Sequence, residues 1–177
     1  MCLDVATWSD GVICDYNYVF DPNVYLKRFL SGDRKQNYVF LIDEAHNLVE
    51  RAREMYSAAL YKEDFLEVKK LLKDKSPRMA RRLDACNAAL LRYKRECDEL
   101  EVWENAGEFP VMVMRLMAEY EEFLKEHKNF DGRERALQLY FELRHFINIH
   151  ERLDEKYLIY TDYAENGNFR MVLKCMD

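Results

Sequence analysis

The sequence predicts a mostly helical α+β chain, and three observations lead there. From Lys62 to Leu153, apolar residues recur at three- and four-residue spacing in four blocks, the pattern of amphipathic helices with one buried face. Near the start, Val12-Ile13-Cys14 and Tyr38 to Ile42 are continuously apolar and rich in β-branched and aromatic residues, as strands covered on both faces are. Near the end, the runs Tyr157 to Tyr163 and Phe169 to Cys175 flank Glu165-Asn166-Gly167-Asn168, and Asn-Gly between such runs signals a hairpin. Five glycines and three prolines in 177 residues are too few for a sandwich or barrel with its many tight turns.

The elements follow in order. Between the two early strands, Asp21-Pro22 is expected to open a helix, with Asp as N-cap and Pro at the first helical position. Val24, Tyr25, Phe29 and Leu30 give it an apolar stripe, and Ser31-Gly32-Asp33 ends it. Strand, helix, strand is a βαβ unit in outline. A second helix is expected over Glu44 to Tyr56. Phe65, Val68, Leu71 and Leu72 mark the first long helix of the central block. Ser76-Pro77 starts the next, whose stripe is Met79, Leu83, Cys86, Leu90, Tyr93 and Cys97. Gly107 and Pro110 bracket a break before Val113, Leu116, Met117, Tyr120, Phe123 and Leu124. Asp131-Gly132 breaks the chain again, ahead of Leu137, Tyr140, Phe141, Phe146 and Ile149. Four such helices can bury their stripes against one another as a bundle. The expected division is 1–56, a helical module at 57–156, and a hairpin at 157–177.

No apolar run approaches the ~18 residues of a membrane span, and Met1 to Asp10 lacks the basic flank and apolar core of a signal peptide. A soluble cytoplasmic chain is expected. Its five cysteines (Cys2, Cys14, Cys86, Cys97, Cys175) include no CxxC pair, so neither a disulfide framework nor a zinc ribbon is expected. Cys86 and Cys97 read as small buried hydrophobes. The net charge of −6 argues against a general nucleic-acid binder, but it hides a split. Lys62 to Arg95 holds eleven Lys/Arg against five Asp/Glu, whereas Glu96 to Lys128 holds three against ten. A basic face can therefore exist on an acidic chain.

The sharpest chemical feature is Val39-Phe40-Leu41-Ile42-Asp43-Glu44-Ala45-His46. An apolar strand ending in two carboxylates delivers both to the crevice where open α/β sheets bind ligands. The first can hold hydrated Mg²⁺, a hard ion that favours oxygen. The second can polarise an attacking water, since phosphoryl transfer depends on positioning and charge stabilisation. The same pair can also simply cap a helix. A metal site of Asp43, Glu44 and His46 is a rival reading, but it lacks the HExxH spacing. His127, His145 and His150 read as surface or satisfied helix residues, and Tyr16, Tyr18 and Phe20 as packing groups.

Leu41-Ile42-Asp43-Glu44-Ala45-His46-Asn47-Leu48 resembles the DEAH box of superfamily-two helicases. Upstream, Ile13-Cys14-Asp15-Tyr16-Asn17-Tyr18-Val19-Phe20-Asp21-Pro22 resembles the strand and loop that precede that box in XPD/DinG-type DNA helicases. The long helical block after the box resembles the Arch domain that family inserts there. The resemblance implies an ATP-dependent DNA helicase moving 5′→3′, with residues 1–56 and the 157–177 hairpin as fragments of a RecA-like motor domain or the strands that join it to the Arch, the hairpin returning to the motor domain. It further implies that Asp43 binds Mg²⁺ through water, that Glu44 activates the hydrolytic water, and that His46 relays nucleotide state. The Arch-like helices would help guide single-stranded DNA.

The departures carry equal weight. None of the five glycines (Gly11, Gly32, Gly107, Gly132, Gly167) builds the GxxxxGK loop, followed by Ser or Thr, that holds ATP phosphates. The 4Fe–4S cluster of the family is expected upstream of this chain, and Cys2 alone cannot hold one. The chain thus reads as an excised piece, inactive by itself. For nucleic acid, the candidates are Lys69, Lys70 and Lys73 on one helix and Arg78, Arg81 and Arg82 opening the next, with Arg92, Lys94 and Arg95 extending the stretch. The alternative is a helical protein-docking module, whose acidic Glu96–Glu126 stretch suits basic partners.

Overall fold

The computed structural model describes residues 2–30 and 37–177, leaving out the side chain of Cys2. The expected Ser31-Gly32-Asp33 helix end lies outside the described residues, as does any ligand role of the Cys2 thiol. The chain divides into two compact units, residues 1–55 and 56–177.

The first unit holds short helices: α1 (Cys2–Ala6), α2 (Asn17–Phe20), α3 (Lys27–Leu30), a 3₁₀ turn over Ala45–Asn47, and α4 (Leu48–Met55). Two expectations are corrected here. Residues 12–14 and 38–42 are not strands, and no residue of this unit joins a sheet among those described. Ile13, Val39 and Leu41 are 104%, 86% and 94% exposed. A strand covered on both faces exists only when neighbouring strands satisfy its backbone, and the described part of this unit supplies none. Asp21-Pro22 does not open a helix either. The Asp21 carboxylate accepts the Asn23 N–H at 2.7 Å, forming a side-chain turn, and helical winding waits until Lys27. Tyr18, read as a packing group, is 45% exposed.

The second unit runs β1 (Ala58–Tyr61), α5 (Lys62–Leu72), α6 (Pro77–Glu96), β2 (Leu100–Trp103), α7 (Phe109–Glu126), α8 (Arg133–His150), β3 (Tyr157–Tyr163) and β4 (Phe169–Cys175). The molecule is therefore α+β and mostly helical, with one small antiparallel sheet. Helix α6 begins as the sequence signals: Pro77 occupies the first turn and the Ser76 hydroxyl accepts the Met79 N–H at 3.2 Å. Such a cap contributes about 1 kcal/mol. Helix α8 starts after Gly132, whose φ is 82°. A Cβ there would lie 2.9 Å from Leu71 Cδ1, so glycine permits both the left-handed turn and the close approach to α5.

Helices α5, α6, α7 and α8 pack in sequence order, and α5 also meets α8, which closes the bundle. The sheet order is β1-β4-β3-β2. The β3–β4 hairpin is the predicted one, with Tyr163 opposite Phe169 and Gly167 at φ 79° in its turn. It forms the middle of the sheet in this second unit, pairing Ala58 with Leu173 on one side and Leu100 with Asp162 on the other. Leu60, Met171, Leu173 and Ile159 face the helices and share one core with Phe65, Leu83, Leu116, Leu139 and Phe146. Cys86 is fully buried in that core, and burial pushes its thiol up to about 12. Cys97, just past α6, donates its buried S–H to the Thr161 carbonyl at 3.4 Å.

Charged clasps tie the layers together. Arg170 on β4 makes a two-pronged pair with Asp162 on β3, at 2.6 and 2.9 Å, and donates to the Tyr61 hydroxyl on β1 at 3.2 Å. Arg135 on α8 holds Asp64 and Glu67 of α5 at 2.5 and 2.8 Å. Burial raises the Asp64 carboxyl above its ordinary range despite that guanidinium. Lys94 lies over the Tyr163 ring at 5.0 Å, joining α6 to the hairpin.

Candidate functional site

The Asp43-Glu44-Ala45-His46 tetrad sits between the exposed apolar run and α4. Helical winding was expected from Glu44. Instead Glu44 takes a left-handed conformation, φ 51° and ψ 36°, and the 3₁₀ turn starts at Ala45. For a residue with a Cβ this costs on the order of 1–3 kcal/mol. The helix-capping reading fails on geometry, because Glu44 precedes the turn without any side-chain cap bond.

The local bonds converge on Glu44. Asp43 Oδ1 accepts the Glu44 N–H at 2.9 Å. Glu44 Oε2 lies 3.2 Å from His46 Nε2 and 3.4 Å from Asn47 Nδ2, and the Glu44 carbonyl accepts the Asn47 N–H at 2.9 Å. The turn thus gathers Glu44, His46 and Asn47 onto one carboxylate. The side chains of Glu44 and His46 are 64% and 74% exposed, so the pairing contributes little stability and leaves both groups accessible. Among the described residues, no group of three His, Cys, Asp or Glu gathers into a protein-built metal cage. Asp43 alone suits a hydrated Mg²⁺, which takes one or two carboxylates and completes its shell with water and phosphate oxygens.

The basic candidates separate into two kinds. Lys69 Nζ pairs with Asp84 Oδ1 at 2.7 Å, and Arg78 Nε lies 3.4 Å from Glu119 Oε1 on α7. Lys70, Lys73, Arg81 and Arg82 are exposed and carry no ion pair among the described residues. Helical spacing puts Lys73 one turn beyond Lys69, and Arg81 one turn before Asp84, so these two fall at the α5–α6 seam and Lys70 and Arg82 flank them in sequence. Of the remaining histidines, His127 Nδ1 lies 3.1 Å from the Phe123 carbonyl and His145 Nε2 lies 2.8 Å from the Ser57 carbonyl.

One feature of the second unit escaped the sequence. Strand β2 brings Trp103 edge-on to Tyr93 of α6, with ring centroids 4.8 Å apart. Together with Arg92, Glu96, Glu108 and Phe109 they line a cavity of about 210 Å³. The alternation of Leu100, Glu101, Val102 and Trp103 was its one available signal.

The DEAD_2 family model matches residues 4–65, a span that covers the tetrad and runs through β1 into α5. This match supports a helicase-related domain. No curated protein matches the chain. Among the described residues, no helix is long and apolar enough to cross a membrane.

Proposed function

We propose that this chain is part of an XPD/DinG-like ATP-dependent DNA helicase, in which residues 43–46 serve ATP hydrolysis and the second unit is an Arch-like module. The observation that carries this reading is the tetrad itself. Within the matched span, Glu44 is held by His46 and Asn47 while its carboxylate stays open to solvent. Asp43 would hold Mg²⁺ through water, and the ion would supply charge neutralisation for the ATP phosphates. Glu44 takes the proton of the attacking water. His46, 3.2 Å from that carboxylate, senses whether it is occupied.

The chain contains no GxxxxGK phosphate loop, so alone it hydrolyses no ATP; the full-length protein supplies the loop and the family's 4Fe–4S cluster. The exposed cations of the α5–α6 seam help guide single-stranded DNA along its phosphates, in a cytoplasmic setting. Glu44→Gln in the full-length protein tests the assignment. An amide cannot accept the proton, so turnover should fall about 10²-fold or more while Mg·ATP is retained. Turnover at the parent rate overturns it. Asp43→Asn should raise the Mg²⁺ concentration needed for half-maximal turnover.

A further inference from the structure

We propose that the free edge of β2 is a docking site for an extended basic segment of a protein partner, which adds a fifth strand to the sheet and seats a cationic side chain in the Tyr93–Trp103 cavity. Three independent features meet there, none of them used by the hydrolytic tetrad.

The first is an open edge. Strand β2 ends the sheet order and pairs with β3 alone, so one side of its backbone is unpaired among the described residues. Natural edge strands are commonly blunted by Lys, Pro or a bulge. This one is only four residues long and carries a charge at Glu101, but it has no Lys, Pro or bulge, and Leu100 and Val102 stand 55% and 50% exposed on the face away from the helices. An added strand gains main-chain hydrogen bonds, and its alternate side chains find those two apolar positions.

The second is charge. From Glu96 to Met114 the chain carries six carboxylates (Glu96, Asp98, Glu99, Glu101, Glu104 and Glu108) and no Lys or Arg. Such an edge attracts a cationic peptide and repels a phosphate backbone, which selects protein over nucleic acid.

The third is a preset receptor at the strand's end. The Trp103 indole N–H is fixed to the Thr161 hydroxyl at 3.0 Å, and Tyr93 abuts its ring at 83°. Gly107, at φ 54°, lets the following loop close over Tyr93, because a Cβ there would lie 2.6 Å from the phenol oxygen. Glu96 and Glu108 flank the cavity, opposed by the single guanidinium of Arg92. Aromatic walls with a surplus carboxylate suit a Lys or Arg side chain.

The test uses the whole chain carrying Trp8→Phe, which removes the 90% exposed tryptophan and leaves Trp103 as reporter. The probes are an alternating Lys-Val decapeptide, the same peptide with alternate backbone amides N-methylated, a Glu-Val counterpart, and a twenty-nucleotide oligothymidylate. The Lys-Val peptide should shift Trp103 emission saturably, the N-methylated form should bind about tenfold more weakly, and the other two should leave the emission unchanged. Glu101→Lys with Glu104→Lys, both on exposed side chains, should weaken the Lys-Val peptide about tenfold and flatten its salt dependence with the melting temperature unchanged. No binding of the Lys-Val peptide, equal binding of the N-methylated form, or parent affinity in the double variant each overturns strand addition. A Trp103 shift with oligothymidylate makes the edge a nucleic-acid face and overturns it equally.

Discussion

Residues 1–55 and 56–177 both carry strong apolar runs, and the two units treat them in opposite ways. Ile13 and Leu41 stand fully in solvent, whereas Phe65, Leu83 and Phe146 are completely buried. The difference lies in what each kind of element needs. A helix satisfies its own backbone and needs cover along one stripe, which three neighbouring helices and a sheet supply from contiguous sequence. A continuously apolar strand needs partners along both edges and layers on both faces. The described part of the first unit offers neither, so Ile13, Val39 and Leu41 stay in solvent.

The largest consequence is in backbone protection. Amides of α5 and α6 should exchange only through global opening, whereas those of residues 38–42 should exchange almost freely. For a global stability of about 5 kcal/mol, protection should differ by roughly 10³- to 10⁴-fold by hydrogen-exchange mass spectrometry. Comparable protection in the two segments breaks the contrast. Side-chain truncation should split the units in the same way. Phe146→Ala should cost about 3–5 kcal/mol in urea unfolding, and Leu41→Ala less than about 0.5.

Smaller effects sharpen the account within the second unit. Arg170→Ala leaves Asp162 without its two-pronged partner and should lower stability by about 1–2 kcal/mol, with Asp162→Ala adding little further loss. Cys86 gives a pH test. Its thiol is held up at about 12, whereas the unfolded chain ionises near the ordinary 9.0. The native state then binds more protons between these values, so stability falls as pH rises through that window. Between pH 8 and 10 the share of the loss from this thiol should be about 1 kcal/mol. Cys86→Ala, though less stable throughout, should show a correspondingly shallower slope, the rest coming from half-buried tyrosines such as Tyr157.

How much of this was legible follows the range of the interactions. The four long helices were written in local stripes, and the Ser76-Pro77 start of α6 in two adjacent residues. The Asn166-Gly167 hairpin was equally local. Strand β1 was not, because Ala58 becomes a strand only through pairing with Leu173. Strand β2 hid inside an acidic stretch that read as a break between helices. The runs at 12–14 and 38–42 read as strands because composition records what a segment prefers, not whether partners are present. At the tetrad, residue identity and order were enough to put Asp43, Glu44 and His46 forward as candidates. The left-handed turn at Glu44 and its link to His46 needed coordinates. Among the cations, Lys69 and Arg78 looked as available as Arg81, because their partners Asp84 and Glu119 come from neighbouring helices.

The central claim is a division of labour, with hydrolysis at residues 43–46 and single-strand guidance along the α5–α6 seam. One paired measurement on the full-length protein addresses it: ATP turnover and single-stranded DNA affinity against salt, for Glu44→Gln and for a variant with Arg81 and Arg82, unpaired among the described residues, reversed to Glu. The account predicts crossed effects. Glu44→Gln should lose turnover about 10²-fold and keep DNA affinity, while the reversed arginines should lose affinity and about one to two units of salt slope. Parent turnover in Glu44→Gln, or an unchanged salt slope in the arginine variant, contradicts it.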